Sequence, residues 1–191
     1  MTDEERLIKL LAERSTKRGQ FTLASGKQSK YYIDARLTTM SPDGLLLIGQ
    51  LGLFKLRQSG WAVDSVGGLT LGADPISYAI SYASAQSAQP VRAFTVRKEP
   101  KAHGTGKTIE GPFRKNDRVA VIEDVITTGG SALRAIEAVR AENGNVSGVL
   151  ALVDREEGGR QAIEATGIPV ISMMTASQII EALEKLTRSP D

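Results

Sequence analysis

The sequence predicts an α/β fold in which a doubly wound, mostly parallel sheet is flanked by helices. Short apolar runs alternate with helical segments from residue 63 onward, which is typical of such a sheet. The runs are nearly continuous in apolar character, as strands covered on both faces are. The 191 residues are 41% hydrophobic and 24% charged, which fits one domain with an ordinary core. Strands are expected at about 63–66, 91–96, 119–124, 149–154 and 169–173.

The N-terminal part of the chain is predicted to begin with two helices. Apolar residues between Leu7 and Leu11 repeat at helical spacing and predict a helix over 3–18. Ser41 and Pro42 form an N-cap and first-turn pair, which predicts a helix over 42–58. A loop over 67–72 should follow the first strand of the sheet. The remaining helices are expected at about 73–87, 131–142, 158–166 and 177–186.

Composition excludes several classes of chemistry. Cysteine is absent, so disulfides, thiolate metal sites and a cysteine nucleophile are excluded. His103 is the single histidine, so metal chemistry must use oxygen ligands. A net charge of +2 is too small for a generally basic nucleic-acid surface. The charged N-terminus and the lack of an apolar run of membrane-spanning length predict a cytoplasmic protein that binds neither nucleic acid nor membrane.

One run combines a buried strand, two carboxylates and a glycine-rich turn that opens a helix. Strand residues 119–122 are followed by Glu123 and Asp124, and then by Val-Ile-Thr-Thr-Gly-Gly-Ser at 125–131. Glycines let backbone N–H groups approach an anion, and a helix start adds unpaired donors. Adjacent carboxylates can accept hydrogen bonds from the vicinal hydroxyls of a sugar. The run therefore predicts a ribose 5-phosphate pocket; the alternative is a solvated strand end with an ordinary serine N-cap.

A polar segment over 97–117 shows neither helical nor strand periodicity and is predicted to be a long loop. Loops of this length inside a compact domain are usually functional lids or disordered. Arg97, Lys98, Lys101 and His103 could surround an anionic group, while nearby glycines allow hinge motion. The alternative is a solvated basic surface loop.

The run at 119–131 resembles the motif with which type I phosphoribosyltransferases bind 5-phosphoribosyl 1-diphosphate (PRPP). Three further segments resemble the orotate phosphoribosyltransferases among them. Residues 95–104 are similar to that family's mobile catalytic loop, and residues 21–34 to its N-terminal stretch over the base. Within 152–156, Arg155 occupies the position where the family uses an arginine for the pyrimidine. A hairpin with core aromatics is the alternative for Tyr31 and Tyr32 in the N-terminal stretch.

The resemblance implies the type I phosphoribosyltransferase fold and transfer of ribose 5-phosphate from PRPP to orotate in pyrimidine biosynthesis. The products would be orotidine 5′-monophosphate and pyrophosphate. It also implies Mg²⁺ held mainly by PRPP and water, with no direct protein ligand, and a homodimer whose loop serves the neighbouring site. Lys101, Lys98 and Asp124 are the expected catalytic residues, and Thr127 and Arg155 are expected to bind orotate. The residues expected to bind PRPP are Arg97, Lys98, Lys101, His103, Glu123, Asp124, Val125, Ile126, Thr127, Thr128, Gly129, Gly130 and Ser131.

We expect a single domain over 1–191, with N-terminal hood elements over about 1–40 and a mobile loop over about 97–112. Residues 67–72 resemble the family's pyrophosphate loop. Leu71 and Ala24 stand where some relatives carry lysine, so no lysine role is transferred to these positions. Two alternatives remain: a phosphoribosyltransferase that uses a purine base, and a PRPP-sensing regulator of the same fold.

Overall fold

The structure, a computed structural model, describes residues 1–22, 26, 28–99 and 108–188. The helices of these residues are α1 (Asp3–Leu10), α2 (Arg36–Thr39), α3 (Pro42–Gln58), α4 (Ala73–Ser84), α5 (Gly130–Ala141), α6 (Gly159–Glu164) and α7 (Ala176–Arg188). The strands are β1 (Thr16–Thr22), β2 (Gln28–Ile33), β3 (Ser65–Leu69), β4 (Arg92–Val96), β5 (Ile109–Glu110), β6 (Arg118–Ile126), β7 (Asn145–Asp154) and β8 (Val170–Thr175). No helix in these ranges is long and apolar enough to cross a membrane.

Six strands form one sheet in the order β5-β4-β3-β6-β7-β8. All neighbours are parallel except β5, which runs antiparallel to β4. Alternate residues of β6 belong to different core clusters: Val119 and Val121 to one, Ala120 and Ile122 to the other. Both faces of the sheet are therefore buried, which explains the continuous apolar runs. The predicted α/β class with a mostly parallel, helix-flanked sheet is confirmed.

The order of the strands reverses between β3 and β6. The chain proceeds from β3 to β4 on one side, and from β6 to β7 and β8 on the other. Strands β3 and β6 pair only over 65–67 and 119–121, so the last residues of both strands diverge. In an open α/β sheet a ligand site is expected at such a switch point, beyond the carboxyl ends of the strands.

The N-terminal helical segment ends at Ser15, three residues before the end of the predicted helix over 3–18. A capping box of Thr2 and Glu5 opens α1, and a π-helical turn over Leu11–Ser15 follows it. The hydroxyl of Thr16 then donates to the carbonyl of Leu11 at 2.9 Å, and β1 begins. Strand β1 pairs antiparallel with β2 in a separate two-stranded sheet. Residues 16–18 form a strand because they pair with β2. The spacing of apolar residues along 3–18 contains no information about this long-range pairing.

The loop predicted over 67–72 was wrong at its first residues, and the alternative of a hairpin with core aromatics at Tyr31 and Tyr32 holds only for the hairpin. Gly67 and Gly68 belong to β3 rather than to a loop. They are glycines because β3 packs closely against β6: a Cβ on Gly68 would lie 2.0 Å from the carbonyl oxygen of Ile122. Tyr31 and Tyr32 lie on a hairpin but are not core aromatics. Tyr32 is 41% exposed, and the hydroxyl of Tyr31 donates to Glu184 on α7.

Candidate active site

A cavity of about 420 Å³ lies at the carboxyl ends of β3 and β6, at the switch point. Its walls come from the turn after β2, the β3–α4 loop, the turn from β6 into α5 and the loop after β7. Charged side chains of both signs line it: Asp34, Arg36, Lys98, Glu123, Asp124, Arg134 and Arg155. A cavity of this size into which polar groups converge is typical of a small-molecule site.

Glu123 and Asp124 both face this cavity from the end of β6. Burial, and next the neighbouring charge of Asp124, raise the pKa of Glu123 well above its usual value. Arg134 on α5 opposes this rise. Asp124 Oδ1 accepts a hydrogen bond from the N–H of Val125 at 2.9 Å. Two carboxylates in this setting need donors, and the hydroxyls of a sugar would supply them.

The turn from β6 into α5 encloses a small hollow of about 40 Å³, lined by Glu123 and residues 125–131. Helix α5 begins at Gly130 without a hydrogen bond from a capping side chain, so its first N–H groups remain available to an anion. Gly129 has a φ of +83°, which favours glycine, and a Cβ there would lie 2.8 Å from the carbonyl oxygen of Gly159. The structure thus brings the predicted phosphate-binding residues 125–131 together around one hollow.

Arg155 lies where β7 ends, and its side chain is only 7% exposed. Its backbone N–H donates to the carbonyl of Ile126 at 2.9 Å. Its Nε and Nη2 both lie against Glu157 Oε1, at 3.1 and 2.9 Å. Thr127 and Arg155, the two predicted orotate-binding residues, therefore line the same cavity. Glu157 was missed, because a carboxylate two residues from an arginine is too common a pattern to identify a buried pair.

The predicted loop cations divide into three cases. Lys98 lines the main cavity. Arg97 does not; it pairs with Glu110 at 3.4 Å and lines an adjoining hollow with Thr70 and Thr95. Lys101 and His103 lie outside the described residues, as do Ala24 and half of the segment predicted to be the mobile loop, residues 100–107.

The β3–α4 loop forms a wall of the cavity beside Asp124. The hydroxyls of Thr70 and Thr95 donate to the two carboxylate oxygens of Asp74, at 2.7 and 2.8 Å. Leu71 is 60% exposed and faces the cavity, so it supplies no charge to this wall. Helix α4 starts here without a hydrogen bond from a capping side chain. Its free N–H groups can bind an anion, as the resemblance of 67–72 to a pyrophosphate loop implies.

Arg36, for which no role was predicted from the sequence, lines the cavity beside Asp34, the last residue of the stretch 21–34. Arg36 begins α2, and its Nε and Nη2 donate to the two oxygens of Asp34 at 2.8 and 2.9 Å. This fork lowers the pKa of Asp34. A four-residue helix leaves no periodic signal in the sequence, so nothing in the pattern indicated that Arg36 faces the site.

Comparison with known proteins identifies relatives over almost the whole chain. No protein-family model matches the sequence. The orotate phosphoribosyltransferase of Aquifex aeolicus is 47% identical over 183 residues, covering 94% of this chain and 99% of that protein. The crystal structure of Mycobacterium tuberculosis orotate phosphoribosyltransferase with Fe(III) dicitrate is 41% identical, covers 93% of this chain and 99% of that one, and superposes with a TM-score of 0.81.

A second crystal structure of the Mycobacterium tuberculosis enzyme contains PRPP. It is 35% identical, covers 93% of this chain and 91% of that chain, and has a TM-score of 0.74. The alignments cover more than nine-tenths of the chain, so the similarity is not limited to the PRPP motif. The motifs at 119–131 and 152–156, their meeting in one cavity and the relatives agree: the chain belongs to the orotate phosphoribosyltransferase family.

Proposed function

We propose that PRPP lies across the switch point, with its 5-phosphate in the hollow at 125–131, its ribose on Glu123 and Asp124, and its diphosphate toward the β3–α4 loop. The carrying observation is that one cavity of about 420 Å³ contains Asp124, Thr127 and Arg155 together. The reaction of the family transfers ribose 5-phosphate from PRPP to orotate and releases pyrophosphate. The ribose phosphate, the diphosphate and orotate would each face a different wall of this cavity.

Orotate would bind between Thr127 and Arg155. Arg155 is fixed by Glu157, so its planar donors are oriented before the substrate arrives, and a guanidinium matches the anionic orotate ring and its carboxylate. An ionised ring nitrogen of orotate attacks the anomeric carbon, forming the N–C bond as the bond from that carbon to the diphosphate oxygen breaks. Because orotate supplies its own negative charge, no protein base is needed.

Positive charge around the diphosphate would stabilise the leaving group as it departs. Lys98 lines the cavity, Arg97 lines the adjoining hollow, and Lys101 and His103 are proposed to join them from the segment between 97 and 112. The described residues include no group of three potential metal-binding His, Asp or Glu side chains. Mg²⁺ would be held mainly by diphosphate oxygens, ribose hydroxyls and water, which are the oxygen ligands that this ion prefers. When bound, it would neutralise charge on the diphosphate.

A homodimer is proposed from an exposed apolar groove of about 540 Å³ between α3 and α4, whose walls include Leu46, Tyr78 and Tyr82. Tyr82 is 85% exposed, and an exposed apolar patch that contains a large aromatic side chain is typical of a protein–protein contact surface. The groove adjoins the site, because the hydroxyl of Tyr78 lies 2.8 Å from that of Thr95, just before the 97–112 loop. A second copy on this face could receive that loop in its own cavity.

Two measurements test the dimer. Tyr82→Glu should convert a dimer to monomers in sedimentation, whereas Leu186→Glu, at an exposed leucine on α7, should not. Mixing inactive Lys101→Ala with inactive Asp124→Ala should restore part of the activity if sites are shared. No recovery in verified heterodimers would rule out the shared loop.

The reaction itself is tested by incubating the protein with PRPP, Mg²⁺ and either orotate or a purine base. A nucleotide should form with orotate and not with the purine, and turnover of the purine alone would overturn the assignment.

We also propose that residues 1–40 form a hood over the base, within a single domain over 1–191, and that the enzyme acts in the cytoplasm. Deletion of the β1–β2 hairpin should then raise KM for orotate more than KM for PRPP.

A further inference from the structure

Arg36 is a positively charged residue of the cavity that the proposed mechanism does not use. It lines the cavity together with Leu71 and Gly72 of the β3–α4 loop and with Asp124. Asp34 occupies its Nε and Nη2 at 2.8 and 2.9 Å. Within the described part of the chain, the remaining nitrogen, Nη1, makes no hydrogen bond. The fork therefore fixes the plane of the guanidinium and leaves one end of it for a ligand.

The charge of Arg36 acts on the part of the cavity where the reaction would occur. The hydrogen bond that Arg36 donates to Asp34 is the main cause that raises the pKa of Arg36, and the charge of Asp124 is a smaller cause in the same direction. Asp124 is the residue proposed to hold the ribose. Arg36 consequently lies within electrostatic range of the sugar whose bond to the diphosphate breaks.

The other cations that line the cavity are distributed among different parts of the substrates. Arg155 is held by Glu157 at the orotate end, and Arg134 lies on α5 with Ser131, near the phosphate hollow. Among the described lining residues, Lys98 and Arg36 are the cations left for the wall formed by the β3–α4 loop. A diphosphate carries several negative charges, and Leu71 gives this wall none.

We propose that Arg36, oriented by Asp34, binds the diphosphate of PRPP and the product pyrophosphate. The inference rests on the proposed function, because it uses the orientation of PRPP given there. Asp34 acts as a positioning residue: it takes two donors of the guanidinium so that Nη1 points to the anion. Arg36 would strengthen its contact as charge accumulates on the departing pyrophosphate.

The test measures binding of inorganic pyrophosphate, in the presence of Mg²⁺, by titration calorimetry. Arg118→Gln is the matched control, because Arg118 forms the same two-point pair with Asp64, at 2.8 and 2.7 Å, at the opposite end of β6. Losing a charge-assisted hydrogen bond should weaken pyrophosphate binding to Arg36→Gln about tenfold. Orotate binding should change by less than about twofold, since Arg36 is not at that end. Arg118→Gln should bind both like the wild type.

Unchanged pyrophosphate binding by Arg36→Gln, or a greater loss of orotate than of pyrophosphate, would overturn the proposal. If Arg36→Gln does not fold, Asp34→Asn retains the guanidinium and removes only its orientation. That variant should weaken pyrophosphate binding by about threefold, less than a lost charged contact, and unchanged binding would contradict the positioning role. A wild type that binds pyrophosphate through Arg36 but forms no nucleotide from orotate would refute the proposed function and leave this contact standing.

Discussion

Gly72→Ala should inactivate the enzyme without unfolding it. A Cβ at position 72 would lie 2.5 Å from the carboxyl carbon of Asp124 and 2.6 Å from its Oδ1. Contacting carbon atoms prefer about 3.5–4.0 Å, so the carboxylate would have to move by about 1 Å. Misplacing a substrate-positioning group by about 1 Å can cost about 10²-fold in rate. We expect kcat/KM for PRPP to fall by about that factor in initial-rate assays at saturating orotate.

Two controls separate this displacement from a general loss of structure. Gly72 has a φ of −62° and a ψ of −45°, which alanine adopts without strain, so the thermal midpoint should stay near that of the wild type. In an Asp124→Ala background the carboxylate is gone, and Gly72→Ala should then weaken PRPP binding no further. Full activity of Gly72→Ala, or effects of the two substitutions that multiply, would refute the reasoning.

Three further predictions concern stability and substrate discrimination. Because burial raises the pKa of Glu123 in the folded protein, stability is lost as the pH rises from the usual glutamate pKa toward the raised one; Glu123→Gln should therefore raise the thermal midpoint near neutral pH, and a gain that persists below about pH 4 would contradict this. Gly68→Ala should cost about 3 kcal/mol in urea unfolding, since its Cβ would lie 2.0 Å from the carbonyl oxygen of Ile122; a cost below about 1 kcal/mol would show that the sheet relaxes. Glu157→Ala frees the guanidinium of Arg155, so KM for orotate should rise more than KM for PRPP, and an equal rise would argue against an orienting role.

Features that depend on local sequence were predictable, whereas those set by contacts between distant segments were not. The parallel strands of the main sheet and α3 follow from continuous apolar runs and from the Ser41–Pro42 start. The short antiparallel strand β5 was not predicted, because Ile109–Glu110 lies in the segment 97–117 that was expected to be a loop. Residues 119–131 are contiguous, so their strand, carboxylates and turn could be read together. The early end of α1 depends on pairing with β2, and the place of Arg36 depends on how α2 packs. Neither leaves a periodic pattern along the chain.

The close approach of Gly129 and Gly159 has a consequence for the energetics of substrate binding. Each glycine sits where a Cβ would strike the backbone of the other turn: Gly159 O for position 129, and Thr127 O, at 2.4 Å, for position 159. The phosphate turn and the segment after Arg155 therefore pack with their main chains in direct contact. The entropy of fixing these two turns is lost when the protein folds rather than when substrates arrive. The proposed sites of PRPP and orotate thus rest on main chain that is already ordered, so we expect more of the binding energy of the two substrates to remain for the reacting bond between them.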